Sequence, residues 1–203
     1  MTNTFKYFLI YKPYGMLSQF TKEVEQHCTL ADLNYKFEKD IYPVGRLDKD
    51  SEGLLILSND KKLTEALLNP KNKHSRNYWV QVDKIPTIEA LQQLKEGVEI
   101  KVNKKKHKCL PTKVQLLPQP PVLPERDPPV RFRKEIPTTW LEISLFEGKN
   151  RQVRKMTAKV GHPTLRLVRH QIVNLHLGSM KVGEVCETDQ KTIYKKLELN
   201  NIR

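Results

Sequence analysis

The chain has 203 residues, enough to bury a sizeable core, and its hydrophobic content of 38% is typical of a soluble globular protein. It carries 36 Lys and Arg against 23 Asp and Glu, and the net charge of +13 favours a polyanionic partner, with nucleic acid ahead of an anionic membrane. No apolar stretch approaches the ~20 residues that span a bilayer, and no signal-peptide pattern opens the chain. The three cysteines, Cys28, Cys109 and Cys186, lie far apart, which indicates a reducing cytoplasm and no structural zinc.

The first third of the chain is predicted to contain two strands and a helix. Alternating apolar residues in 5–12 predict a strand with one face in the core, and the mixed segment 16–40 predicts at most a short helix around Leu30. The continuous apolar run Leu54–Leu57 is typical of a strand buried on both faces. Asp60 is then expected to cap a helix that stops at Pro70.

The middle of the chain combines another strand and helix with two charged surface segments. Tyr78–Val82 predicts a strand, and a helix follows from Thr87 to Gly97. The lysine-rich residues 101–108 predict a hairpin-like tip, which is either a solvated turn or, beside RNA, a source of phosphate contacts. Residues 117–137 contain seven of the 13 prolines and carry Arg126, Arg131, Arg133 and Lys134, so we expect a long, stiff surface loop.

The last third completes an α+β pattern. Trp140–Phe146 predicts a strand, a helix follows from Arg151 to Gly161, further strands fall within 164–177 and 183–188, and Asp189 caps a final helix. Because the links between elements have hairpin length, a largely antiparallel mixed sheet is favoured over a doubly wound one. We expect one domain over residues 1–203.

The loop before the buried run is the best candidate for chemistry. It places Asp48 between Arg46 and Lys49, and the buried strand that follows the loop gives it a rigid attachment. The alternative is a solvated Arg46–Asp48 ion pair. Asp48 and Asp50 lack a neighbouring His or Cys to complete a metal shell, so a metal-dependent nuclease is disfavoured, and Mg²⁺ dependence lost with Asp50→Ala would revive it.

Four segments that contain charged residues occur in order along the chain. They are Tyr11-Lys12-Pro13-Tyr14-Gly15, Gly45-Arg46-Leu47-Asp48 with Ser51-Glu52-Gly53-Leu54-Leu55, Arg76-Asn77-Tyr78, and Glu147-Gly148-Lys149-Asn150-Arg151-Gln152-Val153-Arg154-Lys155-Met156. In this order they resemble the RNA pseudouridine synthases of the RsuA family. The lysine-proline segment begins within a dozen residues of Met1, so the resemblance implies that the S4-type RNA-binding domain of many members is absent. Together with the proline-rich run, this resembles a branch that modifies one uridine of 23S ribosomal RNA.

The resemblance implies a role for each matching residue. Asp48 matches the catalytic nucleophile, Tyr78 the tyrosine that stacks on uracil and serves proton transfer at carbon five, and Arg154 the basic partner of the aspartate. Five residues are expected to bind RNA: Arg46, Lys12, Arg76, Arg151 and Lys155. Many members have lysine where Arg76 stands, a change that keeps the charge but alters its fine contacts. The resemblance also implies a single catalytic domain, in which the sheet has two halves that are flanked by helices and have the active-site cleft between them. It implies no cofactor and no metal.

Taken individually, these residues also have interpretations in which they have no part in catalysis or RNA binding. Tyr78 is in phase with Val80 and Val82 and would otherwise be a core tyrosine, and Arg151 and Arg154 would otherwise be a solvated helix face. The expected protein is a cytoplasmic, monomeric enzyme that isomerises uridine in 23S ribosomal RNA. Its rival from another class is an inactive ribosomal-RNA-binding or ribosome-assembly protein.

Overall fold

The computed structural model describes residues 5–110, 112–131 and 136–199. The helices are α1 (Lys61–Leu68), α2 (Ile88–Glu96), α3 (Gln152–Lys159) and α4 (Gln190–Lys196). The strands are β1 (Tyr7–Lys12), β2 (Met16–Leu17), β3 (Cys28–Thr29), β4 (Tyr42–Pro43), β5 (Glu52–Ser58), β6 (Arg76–Asp83), β7 (Glu99–Val102), β8 (Lys105–Lys108), β9 (Lys113–Leu116), β10 (Thr138–Leu145), β11 (Thr164–Ile172), β12 (Leu175–His176) and β13 (Val185–Thr188). Arg133 and Lys134 lie outside the described residues.

The chain divides into two compact units. The first contains the chain up to His74 and from Arg169 onward, and the second contains Ser75–Val168. The boundary between them falls within the strand β11. The mixture of four helices with mostly antiparallel strand pairs confirms the α+β fold class.

The first unit has a sheet with the strand order β13-β1-β5-β11. All seven residues of β5 are buried, which confirms the strand that is covered on both faces. Strand β1 pairs antiparallel with β5 and also with β13, so it too lies inside the sheet. The predicted first strand is confirmed as β1, and both of its faces are buried, since Phe8 and Ile10 are buried as well as Tyr7 and Tyr11.

Asp60 joins the helices of the first unit to its sheet. Its Oδ1 accepts hydrogen bonds from the backbone N–H groups of Lys62 and Leu63, which confirms the predicted cap of α1. Its Oδ2 accepts 2.7 Å hydrogen bonds from the hydroxyls of Tyr7 and Tyr194. Burial, reinforced by this carboxylate, raises the pKa of Tyr194 to about 12.

The prediction of a short α-helix around Leu30 was wrong. Leu30–Asp32 forms a single 3-10 turn, which Thr29 caps. Of the apolar residues that suggested a helix, Phe37 belongs to an aromatic cluster, in which its ring packs against those of Phe8, Phe20 and Tyr35. The conformation of this segment is therefore determined by packing against a sheet and not by helical periodicity.

The second unit has β10 as a central strand, with β6 on one side and β9 on the other. Leu141 and Ile143 are fully buried, as the alternation in this strand predicted. The helices α2 and α3 are confirmed, with Thr87 as the cap of α2. Strands β7 and β8 confirm the hairpin, whose lysines are mostly exposed to solvent. Phosphate binding by these lysines stays a prediction.

The described part of the proline-rich loop is held by arginines. Arg126 donates from Nε to the carbonyl of Pro128 and from Nη2 to that of Pro129, and Arg166 donates to the carbonyl of Pro124. These guanidinium groups take the place of the ladder hydrogen bonds that prolines cannot make. Among the described residues, no helix has the length and apolar character needed to cross a membrane.

Candidate active site

The loop of residues 44–51, here the Asp48 loop, has its backbone fixed on both sides of Asp48. The Ser18 hydroxyl accepts from the N–H of Leu47 at 3.0 Å and donates to the carbonyl of the same residue at 2.9 Å. The carbonyl of Lys49 accepts from the N–H of Gly15 at 2.8 Å, and the carbonyl of Asp48 accepts from the N–H of Ser51 at 3.0 Å. The loop therefore holds the Asp48 Cα without using its side chain.

The Asp48 carboxylate is half-buried and makes no hydrogen bond to another described residue of the first unit. Arg46 is exposed, and its Nη2 lies 3.5 Å from Oε1 of Gln19. The alternative of an Arg46–Asp48 ion pair is thus not what the described residues form. A fixed backbone with an uncommitted carboxylate is the arrangement expected of a group that meets a substrate.

Lys12 lies beneath the Asp48 loop and not on the surface. Its side chain is fully buried, and Nζ donates to the carbonyls of Pro13 and Met16 at 2.8 and 2.7 Å. These bonds shape the turn that carries Gly15, which in turn holds Lys49. In this structure the ammonium group is occupied by two backbone carbonyls, and RNA binding by Lys12 stays a prediction.

Lys12 belongs to a buried group of charges that the sequence analysis missed. Glu52 and Arg169 are both buried, and Arg169 donates from Nε to the carbonyl of Leu54 at 2.8 Å. Gly53 lies against the backbone of Arg169 so closely that a Cβ there would be 2.8 Å from the Arg169 nitrogen. The signal in the sequence was the presence of Arg166 and Arg169 among the apolar residues of β11, since arginine is seldom fully buried unless it is paired.

The buried Lys12 gives a pH-dependent contribution to stability. Burial lowers the pKa of Lys12 from 10.5 to about 8, against the opposing charges of Glu52 and Asp50. Between these two values the unfolded chain binds more protons than the folded chain, so stability rises with pH. Relative to Lys12→Met, we expect wild type to gain roughly 2 kcal/mol from about pH 8 to about pH 10.5 in urea unfolding. Parallel pH curves for the two proteins would contradict a buried, titrating Lys12.

Tyr78 and Arg76 lie on β6 of the second unit. Tyr78 is opposite Ile143 of β10 and is 9% exposed, and Arg76 is opposite Leu145 and half-buried. The Tyr78 side chain therefore has a rigid position, with a small accessible part. This agrees equally with a core tyrosine and with a ring that packs on a base at one edge.

The three basic residues at the start of α3 have different environments. Arg151 is exposed and adopts a left-handed backbone conformation, with φ 52°, just before the helix. Arg154 is half-buried and donates from Nη1 to the carbonyl of Thr164 at 3.3 Å. Lys155 donates to the carbonyl and the side-chain oxygen of Asn150. The expected solvated basic face is therefore only partly present, because Arg154 is turned toward the start of β11.

The turn of residues 147–151, here the Glu147 turn, is closed by Gln152. The Gln152 amide donates from Nε2 to Glu147 at 2.7 Å, and its Oε1 accepts from the N–H of Lys149 at 3.0 Å. Both ends of the turn are thus held by one buried side chain. His162 is buried just beyond α3, with its Nδ1 3.0 Å from the carbonyl oxygen of Asp83.

The structure places the predicted residues in two sets. Lys12, Arg46 and Asp48 belong to the first unit, where the first of them supports the loop of the other two. The second unit contains the remaining five: Arg76, Tyr78, Arg151, Arg154 and Lys155.

Comparison with known proteins identifies the class of protein that these features define. The family model described as RNA pseudouridylate synthase matches residues 6–159, a span that includes Asp48, Tyr78 and Arg154. The chain belongs to this family of RNA-modifying isomerases. A solved structure described as a pseudouridylate synthase has the same fold, with a TM-score of 0.74 at 23% identity over 95% of this chain and 74% of that one.

Several named pseudouridine synthases are similar to this chain in sequence. The chain is 49% identical over 179 residues to ribosomal large subunit pseudouridine synthase E of Vibrio parahaemolyticus, covering 88% of this chain and 72% of the relative. It is 44% identical to the protein of the same name from Xanthomonas campestris, covering 91% of this chain and 96% of the relative. Ribosomal large subunit pseudouridine synthase B of Bacillus subtilis is 32% identical, over 89% of this chain and 67% of the relative.

Proposed function

We propose that this chain converts a uridine of large-subunit ribosomal RNA to pseudouridine, with Asp48 as the nucleophile. The observation that carries the proposal is the Asp48 loop, which fixes the backbone through Ser18 and Gly15 and leaves the carboxylate uncommitted within its unit. The names of the relatives that share 44–49% of its residues support large-subunit RNA as the substrate.

A single carboxylate is sufficient for this reaction. The bond between ribose C1′ and uracil N1 breaks, a bond between C1′ and C5 forms, the C5 proton is lost and N1 gains one. Glycosidases that transfer a sugar to water need a second carboxylate for acid or base chemistry. Here the base itself is the acceptor, so Asp48 needs only to act at the ribose, by attack on C1′, by stabilising an oxocarbenium-like state or by initiating loss of a ribose proton.

The residues of the second unit would recognise the base and would supply positive charge. A base must leave the RNA stack to react, which costs a few kcal/mol. Stacking on the Tyr78 ring would offset roughly 1–3 kcal/mol of this. We assign Arg154 as the basic partner of the aspartate, and Arg46, Arg76, Arg151 and Lys155 to the RNA backbone.

The test is release of tritium from ribosomal RNA whose uridines are labelled with tritium at carbon five. Wild-type protein is incubated, without added metal or cofactor, with unmodified large-subunit RNA, with small-subunit RNA and with the corresponding ribosomal precursors. We expect release that saturates at one tritium per large-subunit RNA, and a single modified position when the product is mapped by reverse transcription. The tritium measures the C5 proton directly, so binding alone gives no signal.

Two results would overturn the proposal. Absence of release from every RNA and precursor, with RNA binding intact, would leave the RNA-binding or assembly function. Equal release from small-subunit RNA would retain the isomerase but would mean that the substrate is not specific to the large ribosomal RNA.

A further inference from the structure

Away from the residues assigned to the reaction, three metal-binding side chains converge in the second unit. They are His107 in β8, Cys109 just beyond it, and Glu147 after β10. One potential ligand atom from each, a ring nitrogen, the Sγ and a carboxylate oxygen, lies within 4.8 Å of the other two. The sequence spacing conceals this group, because Glu147 is distant in the chain.

The backbone that carries Cys109 is fixed from two directions. Its N–H donates to the carbonyl of Val98 at 3.0 Å, which continues the β7–β8 ladder beyond the pairing of Ile100 with His107. Its carbonyl packs against Gly97, where φ is +82° and no side chain could fit. His107 and Cys109 are two residues apart in an extended chain, so their side chains point to the same side.

The Glu147 carboxylate is oriented by partners of its own. Its Oε1 accepts from the N–H of Leu110 at 2.9 Å and from Nε2 of Gln152 at 2.7 Å. This leaves Oε2 facing His107, with 3.0 Å between Oε2 and the ring Nε2. Outer partners of this kind fix a metal ligand in the direction of its ion.

The side chains would adjust by up to about 1 Å to admit an ion, since their ligand atoms lie within 4.8 Å of one another, a limit that exceeds the spacing in a tetrahedral shell. Metal bonds of about 2.0–2.3 Å at a tetrahedral centre place neighbouring ligand atoms about 3.3–3.8 Å apart. The gap between His107 and Glu147 would open by a few tenths of an ångström, and the ion would replace their mutual hydrogen bond. The Cys109 thiol would release its proton to solvent, and the sulfur electron pair would form the metal bond.

We propose that His107, Cys109 and Glu147 bind one thiophilic divalent metal ion, with Zn²⁺ as the expected ion. A donor set of nitrogen, sulfur and oxygen suits Zn²⁺, whereas Mg²⁺ and Ca²⁺ prefer oxygen alone. Cys109 is 2% exposed and the His107 side chain 29%, so the ion enters from the imidazole side and keeps a water there. The bound ion would join the lysine-rich hairpin to the Glu147 turn, which leads into Arg151 and α3.

The experiment uses the full chain, reduced and freed of metal with a chelator, and Co²⁺ as a spectroscopic probe. One equivalent of Co²⁺ should give thiolate-to-metal charge transfer in the near ultraviolet and intense ligand-field bands in the visible. Zn²⁺ should displace it stoichiometrically. Cys109→Ser should remove the charge-transfer band and weaken Zn²⁺ binding at least about 100-fold, the upper end of what loss of an outer partner does.

Matched cysteine variants serve as controls. Cys28→Ser removes an exposed thiol and Cys186→Ser a half-exposed one, both in the first unit, and both should retain the spectrum. His107→Gln keeps a donor for Glu147 but loses the imidazole, and should weaken Co²⁺ binding at least about tenfold. It serves as the second variant if Cys109→Ser does not fold.

A wild-type chain that shows no charge-transfer band at saturating Co²⁺ would overturn the site, as would a band that survives in Cys109→Ser. No RNA enters these measurements, so their failure is distinct from failure of the proposed isomerase. Conversely, an RNA assay that fails would leave the metal titration unaffected.

Discussion

Asp48→Asn is expected to lower tritium release from large-subunit RNA by about 10³-fold or more, because it removes the charge that acts at the ribose. The change is nearly isosteric, and the backbone of the Asp48 loop is held by Ser18, Gly15 and Ser51 and not by the carboxylate. Fold and RNA affinity should therefore be retained. The measurements are single-turnover tritium release at saturating enzyme, and RNA binding by filter retention.

The matched control is Asp50→Asn, which makes the same change of charge two residues further along the loop. It should keep the single-turnover rate within about tenfold of wild type, since a charge beside the reaction acts weakly unless it is aimed at the reacting atoms. Equal losses in both variants would mean that the charge of the loop matters and not Asp48 itself. An unchanged rate in Asp48→Asn would remove Asp48 from the mechanism.

Local pattern was sufficient for the regular elements of this fold. The buried strand β5 was predicted from four consecutive apolar residues, and α1 and α2 from their caps Asp60 and Thr87. These features depend on side-chain period and on hydrogen bonds within a few residues, so they are encoded locally. The 3-10 turn at Leu30–Asp32 was mistaken for a helix because its apolar neighbours are committed to distant aromatic rings.

The support of the candidate site could not be predicted in the same way. The sequence marks Lys12 as a charge before a proline, and a charge is normally assigned to the surface. Only the fold shows that its ammonium group satisfies two carbonyls of a tight turn, and that Gly15 and Ser18 hold the Asp48 loop from about 30 residues away in the chain. The Glu147 interactions with His107 and Leu110 are hidden for the same reason.

Gly53→Ala is expected to destabilise the first unit by roughly 3 kcal/mol or more, the range of combined backbone strain and overpacking. Gly53 has φ +106°, a conformation that side chains rarely adopt. A Cβ there would also collide with the backbone of Arg169, which cannot rotate away as a flexible side chain could. The measurement is the free energy of unfolding in urea, with the slope of the transition compared between the two proteins.

Substitutions of two other glycines would separate the effect of backbone strain from that of steric collision. Gly15→Ala introduces a side chain at φ +80° with nothing within 4 Å, so it should show the strain alone, about 1 kcal/mol. Gly148→Ala has open space and no positive φ, and should be close to neutral. Because Gly53 follows directly on Glu52 and packs on Arg169, its substitution should also displace the buried charges beneath the Asp48 loop. A loss in Gly53→Ala no larger than that in Gly15→Ala would mean that the strand yields, and that the collision with the Arg169 backbone adds nothing to the backbone strain.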